Sequence, residues 1–220
     1  MYFSKLYAIF VLYLICFFTK RKLLSIAAAL CFIAGAKAQT SYGLKAGANF
    51  AKFQVSGGNT SYTSDAATFF YVTGYADVPV AMNFSVQPGI SLQGKGGKAP
   101  AGDFTEVSTK DNLMYIEVPV NFVYYVPTGE AGKVFFGAGP YAAIGIHAKS
   151  TQGNLSEIGS FSDAGLKAFD AGLNFLAGFK LTNGFLINGG YGLGLTNMLK
   201  DIDGVTSKNR VFSVGVGYQF

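Results

Sequence analysis

The sequence predicts an all-β fold, an eight-stranded antiparallel up-and-down transmembrane β-barrel preceded by a cleavable N-terminal signal segment. Three observations lead there. Residues 167–198 read as two long strands joined at Thr182-Asn183-Gly184, a tight-turn tripeptide. Apolar and small polar residues alternate along both arms for about a dozen residues, past the five or six usual in soluble sheets and enough for a tilted strand to cross a bilayer. Composition agrees: 13% charged residues, 29 Gly, 21 Phe and 13 Tyr suit a narrow lumen of small side chains and an aromatic exterior.

Each strand follows from the same alternation. Ser41–Phe53 sets Tyr42, Leu44, Ala46, Ala48 and Phe50 against Gly43, Lys45, Gly47 and Asn49. Thr68–Val78 sets Phe70, Val72, Ala76 and Val78 against Thr73 and Asp77, with aromatic residues on both faces. Asn83–Gly94 alternates Phe84, Val86, Ile90 and Leu92 with Ser85, Gln87, Ser91 and Gln93. Asn112–Val126 opposes Met114, Ile116, Val118, Val120, Phe122 and Tyr124 to Tyr115, Glu117, Pro119 and Asn121. A bulge is expected at Pro119, which has no N–H for a ladder. Val134–Ala148 opposes Phe136, Ala138, Ala142, Ile144 and Ile146 to Gly137, Gly139, Tyr141 and Gly145.

The sixth strand puts Phe169, Leu173, Phe175, Phe179 and Leu181 on one face and Asp170, Gly172, Asn174, Gly178 and Lys180 on the other, with Leu176 out of phase. The seventh opposes Phe185, Ile187, Tyr191, Leu193 and Leu195 to Asn188, Gly190, Gly192, Gly194 and Thr196. Asn209–Phe220 closes the series with Phe212, Val214, Val216, Tyr218 and Phe220 against Ser213, Gly215, Gly217 and Gln219. Connections at Pro79–Met82, Pro127–Lys133 and Thr182–Gly184 are short. Those at Gln54–Ala67, Lys95–Asp111, Lys149–Leu166 and Leu199–Lys208 are long. This alternation matches short periplasmic turns and longer extracellular loops, and an even strand number puts both termini in the periplasm of a Gram-negative envelope.

The leader accounts for the basic balance. Lys5, Lys20, Arg21, Lys22 and Lys37 precede Gln39 with no acidic residue among them, and the rest carries twelve basic and twelve acidic residues. The pI therefore gives no reason to invoke nucleic acid. Lys20-Arg21-Lys22, the apolar Leu23–Ile33 and Ala36-Lys37-Ala38 form a signal-peptide pattern over residues 1–38, with cleavage expected between Ala38 and Gln39. Residues 1–19 read as an over-extended start; the rival is an uncleaved helix over roughly residues 6–36. Cys16 and Cys31 both lie in this leader, without a lipobox, so residues 39–220, the barrel domain, have no thiol.

A soluble lipocalin-like barrel alternates too, with apolar residues inside. Lipid outside is favoured by polar faces of Gly, Ser, Asn and Gln, by aromatics near strand ends, and by the aromatic finish at Tyr218 and Phe220. These two residues resemble the C-terminal signal read by barrel-assembly machinery. Residues 41–220 resemble the PorT-like outer-membrane β-barrel family of the Bacteroidota. The resemblance rests on Tyr115-Ile116-Glu117-Val118-Pro119, Gly137-Ala138-Gly139-Pro140-Tyr141, Phe169-Asp170-Ala171-Gly172, Gly190-Tyr191-Gly192-Leu193-Gly194-Leu195-Thr196-Asn197 and Val214-Gly215-Val216-Gly217-Tyr218-Gln219-Phe220. It implies an eight-stranded outer-membrane barrel, without implying the secretion role of the family's namesake.

Eight strands enclose a lumen that side chains can fill, which disfavours a diffusion pore. The expected lumen charges are Lys45, Asp77, Glu117, Asp170 and Lys180, which must pair or stay hydrated. Lys45 and Asp77, at similar distances from the first long loop, are the expected direct pair. Glu117 or Asp170 acting as a catalytic or gating carboxylate is the functional alternative to a structural plug. His147, the single histidine, lies near Ser150 and Ser162, but no Gly-x-Ser-x-Gly occurs and an exposed residue is expected. One histidine without cysteine makes a poor metal site; Asp201-x-Asp203-Gly204 lacks the other ligands of a calcium loop. Gly189-Gly190-Tyr191-Gly192 sits within a strand rather than before a helix, so a nucleotide loop fails. The expectation is a non-enzymatic barrel needing no cofactor. Its partners would be outer-membrane lipid, the assembly machinery and an unidentified loop ligand. A secretion component, a lipid-modifying enzyme and a soluble carrier are the alternatives.

Overall fold

The computed structural model describes residues 40–58, 60–99, 108–153, 155–200 and 204–220. The expected signal segment and its Ala38–Gln39 junction, together with Asp201 and Asp203, lie outside the described residues.

Ten strands are present: β1 Ser41–Gly57, β2 Thr60–Thr63, β3 Ala67–Ala81, β4 Phe84–Ala99, β5 Thr109–Pro127, β6 Gly132–Gln152, β7 Leu155–Gly159, β8 Phe169–Leu181, β9 Phe185–Gly194 and β10 Val205–Gln219. Eight of them form an antiparallel barrel in the order β1-β3-β4-β5-β6-β8-β9-β10. β10 closes on β1 from Gly43–Gln219 to Gly57–Val205. Beyond that ladder, Tyr42 and Phe220 exchange backbone hydrogen bonds of 3.1 and 2.8 Å. Closure matters because an N–H or C=O left unpaired in hydrocarbon costs several kcal/mol.

The alternation sorts side chains by chemistry. Leu44, Phe50, Val72, Ile116, Val118, Phe122, Ile187, Val214 and Val216 are exposed on the outer wall, whereas Asn49, Thr73, Ser91, Glu117, Asn121, Asp170 and Asn209 are buried inside. Phe50 and Phe212 meet across the closing seam with ring centroids 6.3 Å apart. A water-facing barrel would show the opposite arrangement. The turn at residues 182–184 forms through Gly184 N–H donating to Leu181 O, 3.1 Å, and Phe185 N–H donating to Asn183 Oδ1, 3.0 Å. Gly184 has φ +91°, which explains glycine there.

Several local expectations are corrected. Pro119 carries no bulge: β5 keeps one register with both neighbours across it. Its missing N–H is accommodated locally, and the ladder shift falls at Met114/Tyr115, where β6 supplies the extra residue Ile146. Val78, expected on the outer face, is buried beside the shift at Pro79/Ala81, where strict alternation breaks. The first and third long connections hold the short strands β2 and β7, which extend β1 and β6 as hairpins. Leu176, out of phase in the sequence, packs inward against Tyr75, Val123, Tyr125, Phe135 and Leu186.

Val214→Lys, in the apolar band between Phe212 and Tyr218, should destabilise the barrel by about 2–4 kcal/mol, while Val214→Leu stays within about 1.5 kcal/mol. Urea-dependent folding into lipid vesicles measures both; equal tolerance would contradict an outer face in hydrocarbon.

Candidate functional site

The lumen and its long-loop rim are built in layers. Asp77, on β3 near the short-turn end, accepts hydrogen bonds from Gln87 Nε2 (3.0 Å) and Tyr125 OH (3.1 Å) on Oδ1, and from Gln219 Nε2 (3.1 Å) on Oδ2. Neutral donors therefore satisfy it. Lys45 instead lies over the Tyr75 ring, 4.3 Å from its centroid, and Lys180 over the Tyr125 ring at 4.9 Å.

The expected direct pair of Lys45 with Asp77 is absent. Register explains it: Ser41 stands opposite Asp77 and Lys45 opposite Thr73. Similar distances from the first long loop bring the two residues together only if β1 and β3 leave that loop symmetrically. However, β1 continues to Gly57 and pairs with β2, so its ladder with β3 begins at Ala51–Ala67.

A second cluster gathers around Lys95 on β4. Its Nζ lies 2.8 Å from Glu117 Oε2 and 3.1 Å from Asp170 Oδ2, with all three side chains nearly inaccessible. Asp170 also accepts from Tyr141 OH (3.2 Å), Asn209 Nδ2 (3.1 Å) and Thr196 Oγ1 (2.8 Å). Asn174 Nδ2 donates to Glu117 Oε1 at 2.9 Å. The lysine also faces the Tyr141 ring at 4.2 Å. Desolvating three charges is tolerable only because one lysine bridges both carboxylates and neutral donors compensate the remaining negative charge. Lys95 stands at the start of the connection expected at Lys95–Asp111, whereas β4 continues to Ala99. Its signal was phase: Ser91, Gln93 and Lys95 share one face.

Between the two clusters lies a cavity of about 80 Å³ lined in part by Lys45, Asn49, Asn121, Asn174 and Asn188. That is room for a few water molecules and well below the size of small-molecule sites.

Above Lys95 the chemistry turns apolar. Phe161 and Met198, from the connections β7–β8 and β9–β10, are buried against Leu113, Tyr115, Tyr141, Ala143 and Ala148. The Phe161 ring meets Tyr115 edge-on, centroids 5.1 Å apart. Gly145 makes the space, since a Cβ there would collide with the Phe161 ring. The connections are tied together by Lys167 N–H to Met198 O (2.7 Å), Lys200 N–H to Gly165 O (3.0 Å) and Lys200 Nζ to Ser162 Oγ (2.8 Å). At the start of this segment the Ser160 hydroxyl and N–H donate to Asp163, holding that exposed carboxyl below its ordinary range. These inward-folded segments belong to or border the long connections Lys149–Leu166 and Leu199–Lys208, whose sequences carry no strand alternation.

His147 lies on β6 opposite Met114, half-buried beside the bulge. Ser150 donates to Asp111 (2.7 Å) and Ser162 accepts from Lys200, so neither is bonded to His147. Among the described residues no cluster of His, Cys, Asp and Glu fits a metal. Gly189–Gly192 lie within β9, Gly204 is a turn residue at φ +76°, and Tyr218 is exposed on the outer wall with Phe220.

A closed barrel with an apolar coat and a charged, packed interior defines an integral membrane barrel. The family described as outer membrane protein beta-barrel domain matches residues 37–200, and the chain belongs to it. It is thus a small protein of the Gram-negative outer membrane. Among solved structures it is similar to the attachment invasion locus protein Ail of Yersinia pestis (15% identity, 83% of this chain and 99% of that one, TM-score 0.43). Neisserial surface protein A matches at 17% identity over 83% and 99%, TM-score 0.46. OprG from Pseudomonas aeruginosa matches at 13% over 82% and 95%, TM-score 0.43. No curated protein matches the sequence.

Lys95→Met should cost about 3–5 kcal/mol, because Glu117 and Asp170 would be left charged and buried without their cation. Adding Glu117→Gln and Asp170→Asn should recover most of that loss. Urea unfolding in vesicles reads both; a mild effect of Lys95→Met alone would contradict the pairing.

Proposed function

We propose that this barrel is a non-enzymatic scaffold whose four long connections face the cell exterior and bind a partner surface, in adhesion or in envelope organisation. The observation that carries the reading is the contrast between the lumen and the rim. The lumen is occupied by Asp77 and its donors, by the Lys95 cluster and by the Phe161–Met198 plug. The rim rises: β6 pairs with β8 only as far as Ile144–Phe169, then continues with β7 to Gln152, roughly 25 Å further at strand rise. Leu155 and Ile158 on that hairpin, and Tyr62 on the β1–β2 hairpin, are exposed large apolar residues. Binding surfaces commonly sit on such loops over a rigid frame. Ser150 donates to Asp111 and Ser162 accepts from Lys200, so neither is bonded to His147 as an activated nucleophile would be. In this reading both termini and the three short turns are periplasmic. The five stretches quoted above support the PorT-like branch of the family.

The test uses bacteria displaying the intact chain, a chain with residues 150–158 replaced by a short turn, and single cysteines introduced as Glu157→Cys or Glu130→Cys. The expected result is labelling of the 157 site, not the 130 site, by a membrane-impermeant maleimide, and loss of adherence on trimming the hairpin while the barrel still folds. Labelling only at 130 contradicts the outward placement of the long connections, and unchanged adherence of the trimmed chain contradicts the adhesive role.

A further inference from the structure

The short-turn mouth of the barrel has a charge distribution that the lumen network does not explain. Lys133 on β6 and Lys180 on β8 stand directly opposite each other in register. Both side chains turn inward, their Nζ atoms 6.0 and 4.9 Å from the centroid of the Tyr125 ring. Like charges in directly opposed positions destabilise a sheet. Among the described residues no carboxylate lies within ion-pair distance of either. Asp77, the acidic residue of this end of the lumen, has its oxygens taken by Gln87, Tyr125 and Gln219. Lys45 is likewise held by an aromatic face. Three ammonium groups therefore stand at this end of the barrel, Lys133 exposed at the mouth, Lys180 half-buried and Lys45 buried, with one carboxylate inside. Glu130 sits outside on the exposed turn Gly129–Ala131.

Beneath the two lysines is an open recess of about 430 Å³, lined in part by Ser41, Lys133, Lys180, Thr182, Asn183 and Gln219, a volume in the range of small-ligand sites. Its neutral lining includes further donors. The Asn183 carbonyl oxygen is engaged by Phe185 N–H, which leaves its amide N–H₂ available. A phosphate group matches both the charge surplus and the donor set, because it carries up to two negative charges and three acceptor oxygens.

We propose that this mouth is a phosphate-binding site in which Lys133 and Lys180 clamp one phosphate group between β6 and β8. Its position at the rim of the apolar coat admits two sources of that group, a free phosphate and the phosphodiester headgroup of a neighbouring phospholipid, which offers one negative charge and two unesterified oxygens. The site does not depend on what the long connections bind.

The full chain in maltoside micelles, which contain no phosphate, is titrated with inorganic phosphate against chloride at equal ionic strength, and backbone amide shifts are followed by NMR. The expected result is saturable shifts at Gly132, Leu181 and Gly184. The apparent Kd should rise at least about tenfold in K133Q/K180Q and stay unchanged in Lys52→Gln, which lies in the loop half of β1. K133M/K180M, which keeps the aliphatic stems packed, guards against a folding defect, and heat-modifiability on a gel checks that each variant is folded. In phosphatidylcholine nanodiscs, suppressed binding of added phosphate identifies the headgroup as occupant, whereas undiminished binding identifies the free ion; both support the site. Shifts that rise linearly without saturation, that chloride reproduces, or that persist in both double variants overturn it.

Discussion

The structure depends on the absence of water around the middle of the wall. A strand edge open to hydrocarbon would leave a row of N–H and C=O groups without partners, each costing several kcal/mol. Pairing of β1 with β10 removes both edges together. Once the sheet is a cylinder of eight strands, the rest is constrained. Outward positions must be apolar, and inward positions face a bore too narrow to remain a wide water column. Inward charges are then held in low dielectric, where each needs compensation. Lys95, Glu117 and Asp170 solve this by mutual contact. Asp77 does so through amide and phenol donors, and Lys45 and Lys180 through aromatic faces.

The two ends of the bore differ for physical reasons. At the long-loop end, the connections after β7 and β9 fold inward and bury Phe161 and Met198 above the ion cluster. That apolar lid keeps water from the Lys95 pairings, strengthening them. At the short-turn end the connections are only two to four residues long and cannot reach into the bore. Polar side chains remain near the surface there, with Lys133 and Lys180 facing the opening. The proposed presenting role rests on this contrast between a filled cylinder and tall hairpins on one side.

Most of the fold was legible because membrane strands have long, strict period two. Eight strands, their outward faces and the turn at 182–184 follow from that pattern and from Gly184. What escaped depends on register, which the pattern leaves free by steps of two. Lys45 and Asp77 both lie on inward faces, yet β2 displaces the β1–β3 ladder and separates them. Lys95 was hidden by flanking glycines that imitate a loop, although its phase with Ser91 and Gln93 carried the information. Phe161 and Met198 have no periodic signal, since a plug made from connections follows no strand rule. The short strands β2 and β7 fell within stretches whose polar composition suggested plain loops.

The outer wall meets lipid acyl chains while the inner wall does not. Cross-saturation NMR from acyl-chain protons of lipid in nanodiscs to methyl groups of the folded chain measures this directly. The account predicts strong transfer to Leu44, Ile116, Ile187 and Val216, and little to Leu113, Val123 and Leu186, which are buried inside. Stronger transfer to the second set than to the first would contradict it.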